Sequence, residues 1–183
     1  MKSAIAMLVA LGLLSSAARA DFVATATLTG AEEVPPNASP AVGFVTIVYE
    51  AASESLAYSI SYGGLSGDLA GAHIHLGPMG VAGPILFPFS GVPAGPSGLL
   101  AGVLTAAEFV SQPGAATFAD AVVAIESGGA YVNLHTADFP AGEIRGQLSV
   151  FATPVPEPAG LALMGIGAAA FGTLALRRRP AGT

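Results

Sequence analysis

The alternation of side chains between Ser55 and Tyr62 constrains the fold more than any other stretch of this chain. Large apolar residues occupy every second position and small residues lie between them; the apolar set is Leu56, Tyr58, Ile60 and Tyr62. Because successive residues of a β-strand point to opposite faces, this pattern predicts a strand with one buried face. The glycine pair that follows, Gly63 and Gly64, is typical of a turn.

Similar short segments, separated by glycine and proline, recur through the body of the chain. They predict further strands at residues 22–29, 43–50, from about 69 to the turn at 77, 98–104, 131–136 and 143–151. Residues 32–40 hold three prolines and residues 83–98 hold four, so both segments are predicted to be mainly loop.

Two helical patterns interrupt the strands. Thr105 and Glu108 have the spacing of a capping box, which predicts a short helix ending before Pro113. Residues 117–127 place apolar side chains at helical spacing and are followed by a glycine pair, which predicts a second helix. The fold class predicted is therefore mainly β: an antiparallel β-sandwich or barrel-like domain with one or two short helices.

The first 20 residues have the pattern of a signal peptide. Lys2 provides a positive start, residues 4–14 are apolar, and Ala18 and Ala20 stand at the small-x-small positions of a cleavage site. About eleven apolar residues are too few to span a bilayer. We therefore expect cleavage after Ala20 and a β domain that occupies residues 21–153.

The other end of the chain predicts a transmembrane helix. A proline-rich segment from residue 154 precedes 18 uncharged residues, 159–176, which would extend about 27 Å as a helix. Arg177, Arg178 and Arg179 follow this segment. Basic residues next to a membrane span normally stay on its cytoplasmic side, so this end is predicted to face the cytoplasm. From the residues alone, a plain single-span anchor explains this layout.

The distribution of charge narrows the classes of partner. Five of the six basic residues lie in the two terminal segments, and Arg145 is alone among the 12 acidic residues between Asp21 and Glu157. Such a surface repels nucleic-acid phosphate, so nucleic-acid binding is excluded. Divalent cations, or an extracellular polysaccharide bridged by them, are better partners. The chain has no cysteine and therefore no disulfide and no thiolate metal site.

The histidines are the strongest candidates for a functional site. The chain has three, His73, His75 and His135, and each lies in a predicted strand on the side opposite the apolar residues. Neutral imidazoles bind Cu²⁺ and Zn²⁺, and three histidines with one open position form an established type of site. The alternative is that these rings only donate and accept hydrogen bonds to the backbone.

Other polar residues suggest weaker possibilities. Glu143 and Arg145 share a strand face, which favours an ion pair between them or with a neighbouring strand. Carboxylates in loops offer oxygen ligands for Ca²⁺, although no calcium-loop spacing organises them; they are Glu32, Glu33, Asp68 and Asp138. No Gly-x-Ser-x-Gly turn presents a nucleophile, so acyl-transfer chemistry has no support and no catalytic residue is assigned.

Four motifs, in order, resemble the CHRD domain, the repeat first named from chordin. They are Leu28–Pro36 (LTGAEEVPP), His73–His75 (HIH), His135–Thr136 (HT) and Pro140–Gly146 (PAGEIRG), within a resemblance that covers about residues 22–151. The resemblance implies an extracellular β module and carries over no enzymatic activity.

The C-terminal layout closely resembles the PEP-CTERM sorting signal. The residues that carry the resemblance are Val155, Pro156, Glu157 and Pro158, the apolar run, and Arg177, Arg178 and Arg179, within a segment at 154–179. It implies a Gram-negative source, passage across the inner membrane and recognition by an exosortase-type protease.

These observations predict an exported, non-catalytic binding or structural module in the cell envelope, membrane-anchored or released into an extracellular matrix. The alternative is a mononuclear protein that binds copper or zinc through its three histidines, with a redox or metal-scavenging role.

Overall fold

A computed structural model describes residues 21–152, and all structural statements below concern that part of the chain, the described body. It contains nine strands and one α-helix. They are β1 (Phe22–Thr29), β2 (Val42–Glu50), β3 (Ser55–Gly63), β4 (Leu69–Leu76), β5 (Ile85–Pro88), β6 (Gly98–Leu104), α1 (Phe118–Glu126), β7 (Ala130–Thr136), β8 (Ile144–Gln147) and β9 (Ser149–Ala152).

The strands form one antiparallel sheet in the order β5-β4-β7-β8-β1-β2-β3-β6, with β9 also paired to β1. The sheet curls until its two ends share one core: the ring of Tyr58 on β3 lies 4.5 Å, between centroids, from that of Phe89, which follows β5. The predicted class, mainly β and barrel-like with a short helix, is confirmed.

The inward side chains of the curled sheet form a single hydrophobic core. The alternation of β3 is realised as predicted: Leu56 and Ile60 are fully buried, and Tyr58 and Tyr62 are each 6% exposed. Burial of one such aliphatic side chain stabilises a fold by about 1.5–3 kcal/mol. The face of β3 predicted from the sequence is therefore the face that lies in the core.

The helix at α1 is confirmed, and its capping box uses Thr117. The Thr117 side chain accepts a hydrogen bond from the Asp120 amide at 3.2 Å, and Asp120 Oδ2 accepts from the Thr117 amide at 2.9 Å. These bonds satisfy backbone donors that a helix start leaves unpaired.

The helix expected after Thr105 is wrong. The Thr105 amide does donate to the Glu108 carboxylate at 2.8 Å, but the segment forms only a turn. Two residues later, the Val110 amide donates to the Leu86 carbonyl of β5 at 2.8 Å. In place of the hydrogen bonds of a helix, this segment therefore forms a backbone hydrogen bond with the edge strand of the sheet.

Strand β5 lies in a segment that was predicted to be mainly loop. It is four residues long and lies at one end of the sheet order, with Pro88 as its last residue. Proline is tolerated at the edges and ends of sheets, where its missing N–H breaks no ladder. Leu86 and Phe87 are fully buried, which explains why this proline-rich segment pairs at all.

The last predicted strand is divided in two at Leu148, whose amide donates to the Ala130 carbonyl at 3.0 Å. Before the division, β8 pairs with β7; after it, β9 pairs with β1, and Ala152 lies opposite Phe22. The two ends of the described body therefore leave from the same point of the barrel.

The predicted signal peptide, with Ala18 and Ala20, and the predicted transmembrane helix lie outside the described residues. Within residues 21–152, no helix is long and apolar enough to cross a membrane.

Candidate metal centre

The two histidine-bearing strands, β4 and β7, are antiparallel neighbours. His73 lies opposite Asn133, His75 opposite Tyr131, and His135 opposite Gly71. Ile74 on β4 is fully buried in the core, as are Val132 and Leu134 on β7. Because the faces alternate, the three histidines all project from the other side of the sheet.

The three rings converge on one point. His73 Nδ1 lies 3.0 Å from His135 Nε2, and one nitrogen from each ring can be chosen so that all lie within 4.8 Å of one another. Nitrogens bound to one ion at about 2.0–2.1 Å stand roughly 3–4 Å apart. One pair already meets that spacing, and the upper limit of 4.8 Å for the set exceeds it by about 1 Å. In residues 21–152 this is the only group of three or more potential ligand side chains within such a distance.

Backbone carbonyls orient two of the rings. His75 Nδ1 lies 2.9 Å from the Gly83 carbonyl and His135 Nδ1 lies 3.2 Å from the Pro140 carbonyl. A carbonyl only accepts, so we assign the hydrogen to Nδ1 in both rings, which leaves Nε2 with its lone pair. Hydrogen bonds of this kind hold metal-binding histidines in one tautomer.

The hydrogen bonding of the remaining nitrogens follows from that assignment. His135 Nε2 is then an acceptor, so His73 Nδ1 donates to it. His75 Nε2 is buried and has no hydrogen-bond partner. A buried acceptor left unsatisfied costs about 1–3 kcal/mol, and a metal ion would provide the missing partner.

All three rings favour the neutral form, which is the form that binds metals. Burial lowers the pKa of His73 and also that of His75, although the hydrogen bond that His75 donates to the Gly83 carbonyl opposes the change. Burial, reinforced by the other two histidines, lowers the pKa of His135 to about 4.

Behind the histidines lies a polar layer that consists of Glu33, Tyr131, Asn133 and Arg145, each less than 9% exposed. The ring of Tyr131 stacks on His75 with centroids 4.9 Å apart and planes within 9°. The guanidinium carbon of Arg145 lies 3.4 Å from the centroid of the same tyrosine ring. The alternation of β7 placed Tyr131 on the histidine face, but nothing in the sequence indicated its role in orienting His75.

Glu33 enters the polar layer from the loop after β1. Its Oε2 accepts a hydrogen bond from Asn133 Nδ2 at 3.4 Å, while its Oε1 and Asn133 Oδ1 have no partner. Burial raises the pKa of Glu33 to about 7, although the positive charge of Arg145 opposes the change.

The structure does not gather Glu33 with the other loop carboxylates, so the suggested calcium cluster is absent from the described body.

The expected ion pair between Glu143 and Arg145 is also wrong. Glu143 precedes β8, is fully buried, and accepts hydrogen bonds from side-chain hydroxyls at 2.6–2.8 Å and from the Ser66 amide at 2.8 Å; the hydroxyls belong to Ser39, Ser66 and Thr136. Burial alone would raise the pKa of Glu143, but these hydrogen bonds outweigh it and lower the pKa. Arg145 instead donates to the Pro78 carbonyl at 3.2 Å.

Comparison with known families agrees with both resemblances seen in the sequence. A family model described as the CHRD domain matches residues 24–148, which include the three histidines and the polar layer. A model described as the PEP-CTERM protein-sorting motif matches residues 154–179, which include Val155–Pro158 and Arg177–Arg179. No curated protein and no solved structure matches the chain.

Proposed function

Because the chain belongs to the CHRD domain family and carries a PEP-CTERM sorting motif, we propose that it is an exported module that binds one transition-metal ion through His73, His75 and His135. The motif marks the chain for an exosortase-type sorting system and for the membrane. Processing after Ala20 and near Glu157, and release into an extracellular matrix, belong to the proposal. So does its organisation as a signal peptide at 1–20, a β domain at 21–153 and a sorting segment at 154–179.

The observation that carries the metal proposal is the convergence of three rings, each with a lowered pKa, on one point of the sheet surface. Three neutral nitrogens suit Cu²⁺ and Zn²⁺, and they leave one coordination position for water or a small anion. The backbone bonds at Gly83 and Pro140 already hold two rings in the tautomer that binds through Nε2.

Metal binding at this site would break one hydrogen bond and would form new interactions in its place. The hydrogen bond from His73 to His135 is lost, since its two nitrogens become ligands. In return, the buried Nε2 of His75 gains a partner, and a divalent ion enters a body that carries 11 of the chain's 12 acidic residues. Long-range attraction of that kind raises the association rate of cations.

The test is a calorimetric titration of the untagged chain with Cu²⁺ and Zn²⁺. All histidines of the chain lie in the site and there is no cysteine, so no other imidazole or thiolate competes. We expect one ion per chain and, for Cu²⁺, a paramagnetic resonance spectrum with nitrogen couplings. Glu108→Gln, which replaces a half-buried carboxylate that bonds to Thr105 and to none of the histidines, is the control and should bind as the wild type does.

Two results would contradict the proposal: binding that survives His75→Ala and His135→Ala unchanged, or binding that Glu108→Gln weakens as much as those variants do. Failure of the metal proposal would leave the sorting proposal standing. The latter is checked separately by the intact mass of protein from the native host, and finding residues 1–183 unprocessed in the cytoplasm would contradict it.

A further inference from the structure

Strand β6 is the last strand of the sheet order, and one of its edges is free of strand pairing in the described body. It pairs with β3 along its whole length, from Leu104 opposite Leu56 to Gly98 opposite Tyr62, without a register shift. A strand with one free edge presents a row of backbone donors and acceptors to any chain that can align with it.

The features that usually protect such an edge are missing from β6. Its sequence, GLLAGVL, contains no charged residue and no proline, and its pairing contains no bulge. Its outward side chains include two large apolar ones, Leu99 at 64% exposure and Val103 at 59%. Natural edge strands are normally blunted by lysine, proline or a bulge, so this edge is open to pairing.

The outer surface beside β6 is unusual for so acidic a body. Strand register places Phe151, Val23, Val48, Ala57 and Val103 in one row across five strands, β9, β1, β2, β3 and β6. The outward positions of these strands carry one charged residue, Glu50 at the end of β2. The outward positions of β6 and of its neighbour β3 carry no carboxylate, so a second copy of this chain can pair with β6 without setting strand carboxylates of the two copies against each other.

We propose that β6 pairs antiparallel with β6 of a second copy, about a two-fold axis at Ala101. This register pairs all seven residues, since it sets Leu99 opposite the partner's Val103 and Val103 opposite the partner's Leu99. The contact is self-complementary, as a two-fold interface requires. It joins two faces that each carry a single charged residue into one continuous sheet and brings four of the exposed apolar side chains together.

The lack of cysteine makes the register directly testable. In the full chain, purified in mild detergent, Ala101→Cys introduces a single thiol at the proposed axis. Ser59→Cys is the matched control, because Ser59 is exposed on the same face and lies opposite Ala101 on the adjacent strand. With strands about 4.8 Å apart, two copies of residue 59 would lie about 14 Å apart, too far for a disulfide. We expect mild oxidation to link Ala101→Cys into a dimer and to leave Ser59→Cys monomeric.

A charge-matched pair of variants tests the energetics. Leu99→Lys/Val103→Lys sets like charges opposite each other across the axis, and should raise the dimer dissociation constant at least about 10-fold in sedimentation experiments. Val81→Lys/Val123→Lys changes the charge equally at residues 49% and 51% exposed, outside the sheet, and should leave dissociation unchanged. Terminal segments are the same in all variants, so a difference between them reports on β6. A monomeric wild type, equal cross-linking of the two cysteine variants, or equal effects of the two lysine pairs would overturn the proposal.

Discussion

The guanidinium carbon of Arg145 lies 3.4 Å from the ring centroid of Tyr131, and that ring also stacks on His75. The one basic residue of the described body is thus packed behind a candidate ligand and is only 2% exposed. A buried cation on an aromatic ring contributes about 2 kcal/mol or more when desolvated.

Replacing Arg145 should therefore destabilise the fold strongly. We expect Arg145→Ala to lower the free energy of unfolding by about 3–5 kcal/mol, because it uncovers Tyr131, removes a hydrogen bond to the Pro78 carbonyl and removes the charge that attracts Glu33. Urea denaturation measures this change. Glu32→Ala, at an exposed neighbour of Glu33, should change stability by less than about 0.5 kcal/mol, and similar losses for both variants would contradict the prediction.

Glu33 should make stability decrease as the pH rises. Its pKa is about 7 in the folded protein, against 4.5 for an ordinary glutamate in water, so between these pH values the folded state holds a proton that the unfolded state has lost. Stability from this group is present below pH 4.5 and disappears as the pH rises through about 7, by up to about 3 kcal/mol. The isosteric variant Glu33→Gln should remove that slope, as shown by unfolding at several pH values. Glu32→Gln is the control, and a wild-type slope retained in Glu33→Gln would rule the assignment out.

In the metal-free protein, the histidines should make stability decrease as the pH falls, which is opposite to the effect of Glu33. The pKa of His135 is lowered from 6.5 to about 4, so the unfolded state takes up a proton first as the pH falls. Stability from this group is present above pH 6.5 and is lost as the pH falls towards about 4. We expect His135→Gln, which does not titrate, to flatten the acid limb of the stability profile. The site should also continue to bind metal at pH values below the pKa of an ordinary histidine. Calorimetric titration with metal at pH 5–7 measures this. An unchanged acid limb in the variant would refute this account.

Adjacent residues of β4 should separate stability from binding. Ile74→Ala opens a cavity in the core and should cost about 2–5 kcal/mol of unfolding free energy, while the folded variant keeps its metal affinity. His75→Ala should do the reverse, with affinity falling by more than the roughly 10–100-fold typical of residues that only orient a ligand. Denaturation and metal titration on both variants check the pair. An equal loss of metal affinity in the two variants would contradict the assignment of Ile74 to the core and His75 to the metal site.

The glycine of the Pro-Ala-Gly-Glu turn should not tolerate a side chain. Gly142 has φ +136°, and a Cβ there would collide with the side chains of Asn133 and Glu33. We expect Gly142→Ala to lower the unfolding free energy by about 1–3 kcal/mol. Gly67→Ala is the comparison, since a Cβ at that site meets nothing within 4 Å and the φ there is not positive. Equal melting temperatures for the two variants would contradict the collision.

Strand faces could be predicted from the sequence because they depend on neighbouring residues alone. The alternation of β3 and the shared face of His73 and His75 are of this kind. What covers a face depends on residues far away in sequence. Asn37 donates to the Glu143 carbonyl at 3.0 Å across 106 residues, and contacts of this type bring the loop that carries Glu33 over β7 and β8. That is why Arg145 and Asn133, on the face of the sheet opposite the hydrophobic core, are nevertheless buried.

The same reasoning explains the errors in local structure. The capping box at Thr105 formed its hydrogen bonds, but no helix followed because the next residues gained a partner on β5. Strand β5 is preceded by one proline and ends at another, which favoured a loop in this segment; the burial of Leu86 and Phe87 explains why it pairs. The convergence of His135 with the other two histidines required the pairing of β4 with β7, which alternation alone does not specify.

The pairing of Phe22 with Ala152 has a mechanical consequence. Both ends of the described body leave from the same end of one antiparallel strand pair, so tension between them acts across the β1–β9 ladder rather than along it. Its hydrogen bonds would open one after another, like a zipper, starting at Ala152. A pull on the C-terminal side would therefore release four-residue β9 under low force, while β4 and β7, which carry the histidines, remain paired outside the path of the load.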